Sequence, residues 1–321
     1  GPTCYGSPGV RLVGPSVSGD RIGEDPMSQA GARISRPAAV TRTIGESPST
    51  MAGSVVRYAV LAFVVIISLA PALWVILSSF KTNAEVLGSA LSVPANPSLA
   101  GYVEALTRTQ FPLFFLNSAI ASVGATVAAI GIFGMAAYAL ARYDFWGSRA
   151  IYAILISSVF ISLIPMLQPI TMVIRTLGLY DTRWALILVY SVKGLPIAIF
   201  ILHSYFKTIP KDLEDAAGID GANMWQTYTR IALPLARPAV AAAGVLIFLN
   251  SWNDFLFALL LTQSEDTRTL AYALRFFENQ FSYDYPTLLA AIVLTLLPSV
   301  VVYVVLQEQI QKSLIGGAIR G

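Results

Sequence analysis

The sequence predicts an all-α membrane protein, a six-helix transmembrane bundle carrying a helix-turn-helix loop. Three observations lead there. Of 321 residues, 55% are hydrophobic and only 12% charged, and the mean hydropathy is +0.66, beyond what a soluble globular domain carries. Six apolar runs are near the ~20 residues a helix needs to cross a bilayer with its backbone polar groups satisfied internally. Between the fourth and fifth runs lies "LEDAAGIDGANMWQTY", Leu213 to Tyr228, acidic and Gly-punctuated, unlike its surroundings.

In chain order, residues 1–54 are rich in Gly, Ser, Pro and Arg and hold no apolar period long enough for a core. They are expected to form a disordered extension. Met27 and Met51 both read as plausible translation starts, and the polar, Pro-broken character argues against a cleavable signal peptide. The membrane domain is expected over residues 55–321. Its spans are expected from Ala59 to Phe80, Phe114 to Leu140, Ile151 to Ile174, Trp184 to Phe206, Ala239 to Thr262 and Thr287 to Leu306. With both termini in the cytoplasm, Arg57, Arg142, Arg149, Lys207, Lys211, Arg230, Arg237, Lys312 and Arg320 lie inside. Lys81, Arg108, Arg175, Arg183, Arg268 and Arg275 lie outside. That bias favours an inside hairpin at Leu213 to Tyr228 in a multi-pass inner-membrane protein.

Several chemistries are excluded by what is missing. One His and one Cys, His203 and Cys4, cannot build a Cys/His metal cluster, a Cys/His nucleophile pair or an internal disulfide. No G-x-x-x-x-G-K-[ST] occurs, so the chain has no Walker-type phosphate loop of its own and is not read as an enzyme. His203, at the inner end of the fourth span, reads as an interfacial side chain. The acid pairs Asp212/Asp215 and Glu265/Asp266 fall on hydrophilic loops and read as solvated. A formal charge of +3 is accounted for by the inner loops and does not call for nucleic acid.

The insert has its own local grammar. Pro210 suits a helix start, Asp212 and Asp215 suit the positive end of the helix dipole, and Leu213, Ala216 and Ala217 recur on one face. Gly221, after Asp220, supplies a left-handed turn. Trp225, Tyr228 and Ala232 carry a second helical face, with Met224 and Ile231 beside it, and Pro234 is expected to terminate it. Ala216, Ala217 and Ala222 let another surface approach the backbone. From pattern alone, a knob for a partner and an ordinary connector are both open. Within the spans, Lys193 beside Gly194 and Pro196, and Asn250, Trp252, Asn253 and Asp254, are candidates to line a translocation pathway, because intramembrane polar groups face a bundle interior or water. A structural pairing of Lys193 with Asp254 is the other reading.

"LEDAAGIDGANMWQTYTRIALPLARP" strongly resembles the EAA loop of permease subunits of binding-protein-dependent ATP-binding-cassette importers. "SSFKT" at Ser78 to Thr82, "LNSAI" at Leu116 to Ile120, "AAYALARYDFWG" at Ala136 to Gly147, "SWNDFLFALLL" at Ser251 to Leu261 and the terminal "LIGGAIRG" agree in order. Together they resemble the carbohydrate-uptake branch, the type of the maltose transporter's G subunit, over roughly Val55 to Gly321.

The resemblance implies a second permease subunit, a dimer of ATP-binding-cassette ATPases holding ATP and Mg, an extracytoplasmic sugar-binding protein or lipoprotein, and surrounding lipid, with no cofactor in this chain. It implies that Glu214, Asp215, Ala216, Ala217, Asp220, Gly221, Ala222 and Pro234 form the coupling loop to the ATPase. Where the family has Glu before the two alanines this chain has Asp215, preceded by Glu214. Asp215 is therefore the expected contact acid, with Glu214 about 100° round the helix. The rival reading is an ion-coupled secondary transporter using Lys193 and Asp254 as a relay.

Overall fold

The computed structural model describes residues 48–89, 92–107, 110–272 and 284–318, with side chains between residues 53 and 308. The expectation of disorder lies outside the described residues up to residue 47, and from Pro48 the chain is already helical. Two compact units are separated, Gly1–Tyr58 and Ala59–Gly321. Every regular element among the described residues is helical.

The elements are α1 (Pro48–Ser78), α2 (Asn83–Gly88), α3 (Ala100–Thr107), α4 (Phe111–Arg142), α5 (Ser148–Ser157), α6 (Leu163–Thr176) and α7 (Arg183–Phe206). There follow α8 (Asp212–Ile219), α9 (Met224–Thr227), α10 (Leu233–Leu235), α11 (Arg237–Trp252), α12 (Leu256–Leu261) and α13 (Tyr285–Ala318). Among the described residues four helices are long and apolar enough to cross a membrane unaided: Gly53–Ser78, Phe111–Arg142, Arg183–Phe206 and Tyr285–Glu308.

The expected third and fifth spans are broken. Ser148–Phe160 meets Leu163–Thr176 at 107°. Ile161 and Ser162 are extended there, and Pro165, in the first turn of α6, has no N–H to carry the hydrogen-bond ladder back across the break. The fifth expected span ends early at Trp252, because residues 253–255 interrupt it before α12. At its other end the run Met224–Leu235 enters α11 at 79°. Hydropathy counts apolar residues and is blind to such bends.

The core of the larger unit is α4 against α7. Ala121, Ala125, Ala129 and Ala137 line the buried face of α4, and small side chains allow the close helix approach that packing in lipid depends on. One layer joins Ala121, Ala125 and Ile174 to Leu186, Tyr190 and Phe257. A second joins Tyr138, Leu202, Phe206, Tyr228, Ala232 and Ala239. Where α11 closes on α7, a Cβ on Gly194 would stand 3.0 Å from the Ile247 side chain, which would have to give by a few tenths of an ångström to admit it.

The loop that follows α12 is tied down by polar bonds as well as by Leu270, which is buried against Phe111, Phe114 and Trp252. Asn117 Nδ2 donates to the carbonyls of Asp266 and Arg268 at 2.8 and 2.9 Å. Asp181, with φ 59°, accepts from Gln263 N–H at 2.7 Å, Ser264 N–H at 3.1 Å and the Thr267 hydroxyl at 2.6 Å. Partial burial pushes its carboxyl up, but those bonds outweigh it and bring the pKa down to about 2.

This clasp makes a pH prediction. The folded-state pKa is depressed, so its stabilisation is present above the ordinary Asp value of ~3.9 and is lost as pH falls towards about 2. Thermal unfolding in detergent, followed from about pH 5 to about pH 2, should show a loss that is smaller in Asp181→Asn. An equal loss in both proteins would exclude the clasp as its source.

Candidate functional site

The insert between α7 and α11 folds as a helix, a glycine turn and a helix. In α8, Asp212, Glu214 and Asp215 occupy the first turn, where the helix dipole favours anions. Gly221 holds φ +82° with nothing within 4 Å of a notional Cβ, so its requirement for glycine is conformational. Ala222 N–H closes the turn on Ala217 carbonyl at 2.9 Å. Asn223 and Gln226 then form a reciprocal capping box at 2.9 and 3.0 Å that starts α9.

Pro234 does not terminate the second helix as expected. The backbone passes through a π-type turn over Tyr228–Ala232, with Leu233 N–H donating to Tyr228 carbonyl. Pro234 falls in the first turn of α10, where a missing N–H costs little. The break comes at Ala236.

The expected apolar face of the second helix is divided. Tyr228 and Ala232 are buried, whereas Trp225 is 56% exposed. On the first helix Ala217 is buried, Leu213 and Ala216 are exposed, and Ile219 is 88% exposed. The tip therefore presents Leu213, Ile219, Met224 and Trp225 outward, with Asp215 and Asp220 also exposed.

The two neighbouring acids part company. Glu214 turns inward, its Oε1 2.8 Å from Arg142 Nε, the two side chains 13% and 5% exposed. Tyr138 Oη donates to Glu214 Oε2 at 3.1 Å, and Arg142 Nη2 donates to Ile209 carbonyl at 2.8 Å. Tyr138 itself lies between Phe206 and Tyr228, with ring centroids 5.4 and 5.2 Å away. The end of α4 thus grips the base of the hairpin through one arginine and one tyrosine. Sequence spacing separates Asp215 from Glu214 by angle, but nothing local identifies Arg142 as the partner that claims Glu214. His203 is likewise buried, stacked on Tyr152 at 4.0 Å.

Of the intramembrane candidates, Lys193 and Asp254 meet: Nζ and Oδ2 are 2.6 Å apart. Asp254 Oδ1 accepts from Phe257 N–H at 2.9 Å and from Tyr190 Oη at 3.4 Å. With Asn250 and Asn253 they line a cavity of about 530 Å³. An adjoining, mainly apolar cavity of about 630 Å³ between α6, α7 and α11 shares Lys193 and Asn250. Trp252 lines neither. Its indole N–H donates to Thr295 carbonyl at 3.1 Å and its ring stacks on Phe248, which ties α11 to α13.

Residues 132–316 match the family described as the binding-protein-dependent transport system inner membrane component. The chain is 36% identical over 83% of its length, and 88% of theirs, to a diacetylchitobiose uptake system permease protein of Streptomyces coelicolor. It is 33% identical to a sulfoquinovosyl glycerol transport system permease protein of Agrobacterium fabrum, over 83% of this chain and 93% of that one. Against a trehalose transport system permease protein of Mycobacterium tuberculosis it is 34% identical, over 79% of this chain and 93% of that one. The fold matches a chain in the crystal structure of a bacterial ABC transporter involved in import of the acidic polysaccharide alginate. There the TM-score is 0.71 at 24% identity, covering 82% of this chain and 98% of that one.

Removing Glu214 strands a buried guanidinium, so Glu214→Ala should cost roughly 3 to 5 kcal/mol of stability. Asp215→Ala should leave the unfolding midpoint in detergent where it is, since Asp215 is exposed. Arg142→Met combined with Glu214→Leu should recover much of the loss by removing both charges at once. Equal midpoints for Glu214→Ala and the native protein would mean the pair contributes nothing.

Proposed function

The chain belongs to the family of binding-protein-dependent transport system inner membrane components, and we propose that it forms half of the translocation pathway of an ATP-driven sugar importer. A second permease would complete the pathway. A dimer of ATP-binding-cassette ATPases, with ATP and Mg, would dock on the hairpin from the cytoplasm, and an extracytoplasmic sugar-binding protein or lipoprotein would deliver substrate. Sugar is the favoured cargo because the similar proteins are permeases for diacetylchitobiose, sulfoquinovosyl glycerol and trehalose.

The single observation that carries the coupling role is the hairpin's division of labour. Its base is fixed to α4 by Glu214 and Arg142, while its tip leaves Ile219 and Trp225 uncovered. A rigidly held lever with an apolar end transmits a push; a loose connector absorbs it. Motion of the ATPases against the tip would be passed to α4, and through α4 to α7, as rotation of packed helices that alternates access to the cavity. Asp215, exposed beside the tip, is free to meet a basic group there, as Glu214 is not. The excess of Lys and Arg on the hairpin side supports a cytoplasmic hairpin and cytoplasmic termini. The rival is an ion-coupled carrier with Lys193 and Asp254 as its relay, favoured by their 2.6 Å contact alone.

Co-purification of the ATPase in detergent, with ATP turnover and sugar uptake followed in the same proteoliposomes, separates the two. Ile219→Asp should weaken ATPase docking by about 2 kcal/mol, roughly thirtyfold. Gly221→Val, which strains the turn by about 1 to 2 kcal/mol, should loosen it too. Asp215→Ala should dissociate ATP turnover from uptake, and Asp215→Glu should preserve their ratio. Uptake driven by an ion gradient without the ATPase would overturn the importer in favour of the rival.

A further inference from the structure

The corner between α4 and α5 is aromatic and bare. Tyr143, Phe145 and Trp146 are all exposed, Trp146 at 99%. The corner is nevertheless a formed turn, with Ser148 N–H donating to Phe145 carbonyl at 3.0 Å and Gly147 at φ +86°. An indole surrounded by water gains by moving to the headgroup region of a bilayer, because its ring is apolar and its N–H polar. Hydrocarbon is close at hand. Ile151 and Ile154, in the first turns of α5, are exposed as well, an apolar strip that lipid tails can cover.

Two cations flank this corner. Both α7 and α5 reach the hairpin end of the bundle, since Arg142, six residues before α5 begins, donates to the Ile209 carbonyl just past α7. The two helices meet where Tyr152 stacks on His203. Arg149 stands three residues before Tyr152 and Lys207 four after His203. Each is therefore about one turn nearer the hairpin, on the same face of its helix as the stacked ring. The stack brings both cations to one gap, where both are exposed. Among the described residues neither forms an ion pair. Asp144, the one acid of the corner, is exposed and pairs with neither, and Glu214 is held by Arg142.

Like charges at one gap repel, and an anion between them removes the repulsion. A headgroup phosphodiester is such an anion, delivered at the depth that Trp146 marks, with chains that lie along Ile151 and Ile154. We infer that Arg149, Lys207 and Trp146 form a binding site for an anionic phospholipid at the hairpin ends of α5 and α7. A soluble partner has no use for the hydrocarbon strip one turn away. The site goes beyond the importer reading and does not depend on it.

The test is native mass spectrometry of the protein purified in detergent with its accompanying subunits, titrated with phosphatidylglycerol or with phosphatidylcholine of the same chains. A basic group beside an anionic lipid contributes about fivefold in affinity. Arg149→Gln and Lys207→Gln should each weaken phosphatidylglycerol binding by about that factor, and together by about twenty-five-fold, with phosphatidylcholine unaffected. Arg149→Lys combined with Lys207→Arg should keep the affinity. Trp146→Ala should weaken both lipids alike, since the ring senses depth and not charge.

Phosphatidylglycerol binding unaltered in the double Gln variant overturns the inference. So does an equal loss in Arg230→Gln, which removes an exposed cation of the hairpin, because the charge of the whole face would then be responsible. Glycerol 3-phosphate, which carries the phosphate without chains, should not displace the lipid; displacement would assign the gap to a soluble phosphate instead. The same spectra count bound ATPase. A double Gln variant that sheds the ATPase and keeps its phosphatidylglycerol would make the corner an ATPase surface and overturn the lipid site. A native protein that carries no ATPase overturns the importer and leaves the lipid site standing.

Discussion

The rest of the molecule depends on how closely α4 approaches α7. In lipid no hydrophobic force distinguishes helix from solvent, so helices associate through tight packing and a few polar bonds. The alanines of α4 provide the first. Ser191, buried in α7, offers a shared polar contact, its hydroxyl lying between the Ile187 carbonyl of its own helix and the Ala125 carbonyl across the contact. With this pair set, α11 packs on both helices, Gly194 receives Ile247, and α13 is held to α11 through Trp252.

Two ion pairs sit on this frame at different levels. At one, Arg142 and Glu214 join α4 to the hairpin, shielded by Tyr138, Phe206 and Tyr228. At the other, Lys193 and Asp254 join α7 to the start of α12 at the mouth of a cavity. Burial makes the Arg142–Glu214 pair expensive to break, whereas Lys193 is 20% exposed and Asp254 keeps Phe257 N–H and Tyr190 Oη as partners. The first joins the hairpin to α4, and the second joins α7 to the start of α12 beside the cavity.

The breaks in the third and fifth spans have a related logic. Backbone groups freed at a break within a membrane must be satisfied by protein or face a water-filled cavity. Asp254 meets that need at the second break by capping the turn into α12 through Phe257 N–H. One carboxylate thus neutralises Lys193 and closes a helix start. Just beyond α12, Asp181 gathers backbone N–H groups of the following loop in the same manner.

What the sequence determined by itself is what short-range rules reach. Apolar runs, the glycine turn at Gly221 and the helical periods flanking it are written within a few residues of one another, and the backbone obeys them locally. The break at residues 161–162 has a local signal in Pro165, which a count of apolar residues does not register. The tertiary structure alone decided the partners. Glu214 finds Arg142 across 72 residues, Trp252 finds Thr295 across 43, and Lys193 finds Asp254 across 61, the pairing that the sequence left open beside a place on the pathway. Side-chain identity states that a charge in a bilayer needs a partner. Which partner it meets is set by the rotation and height at which two helices dock, and those follow from packing summed over the whole contact.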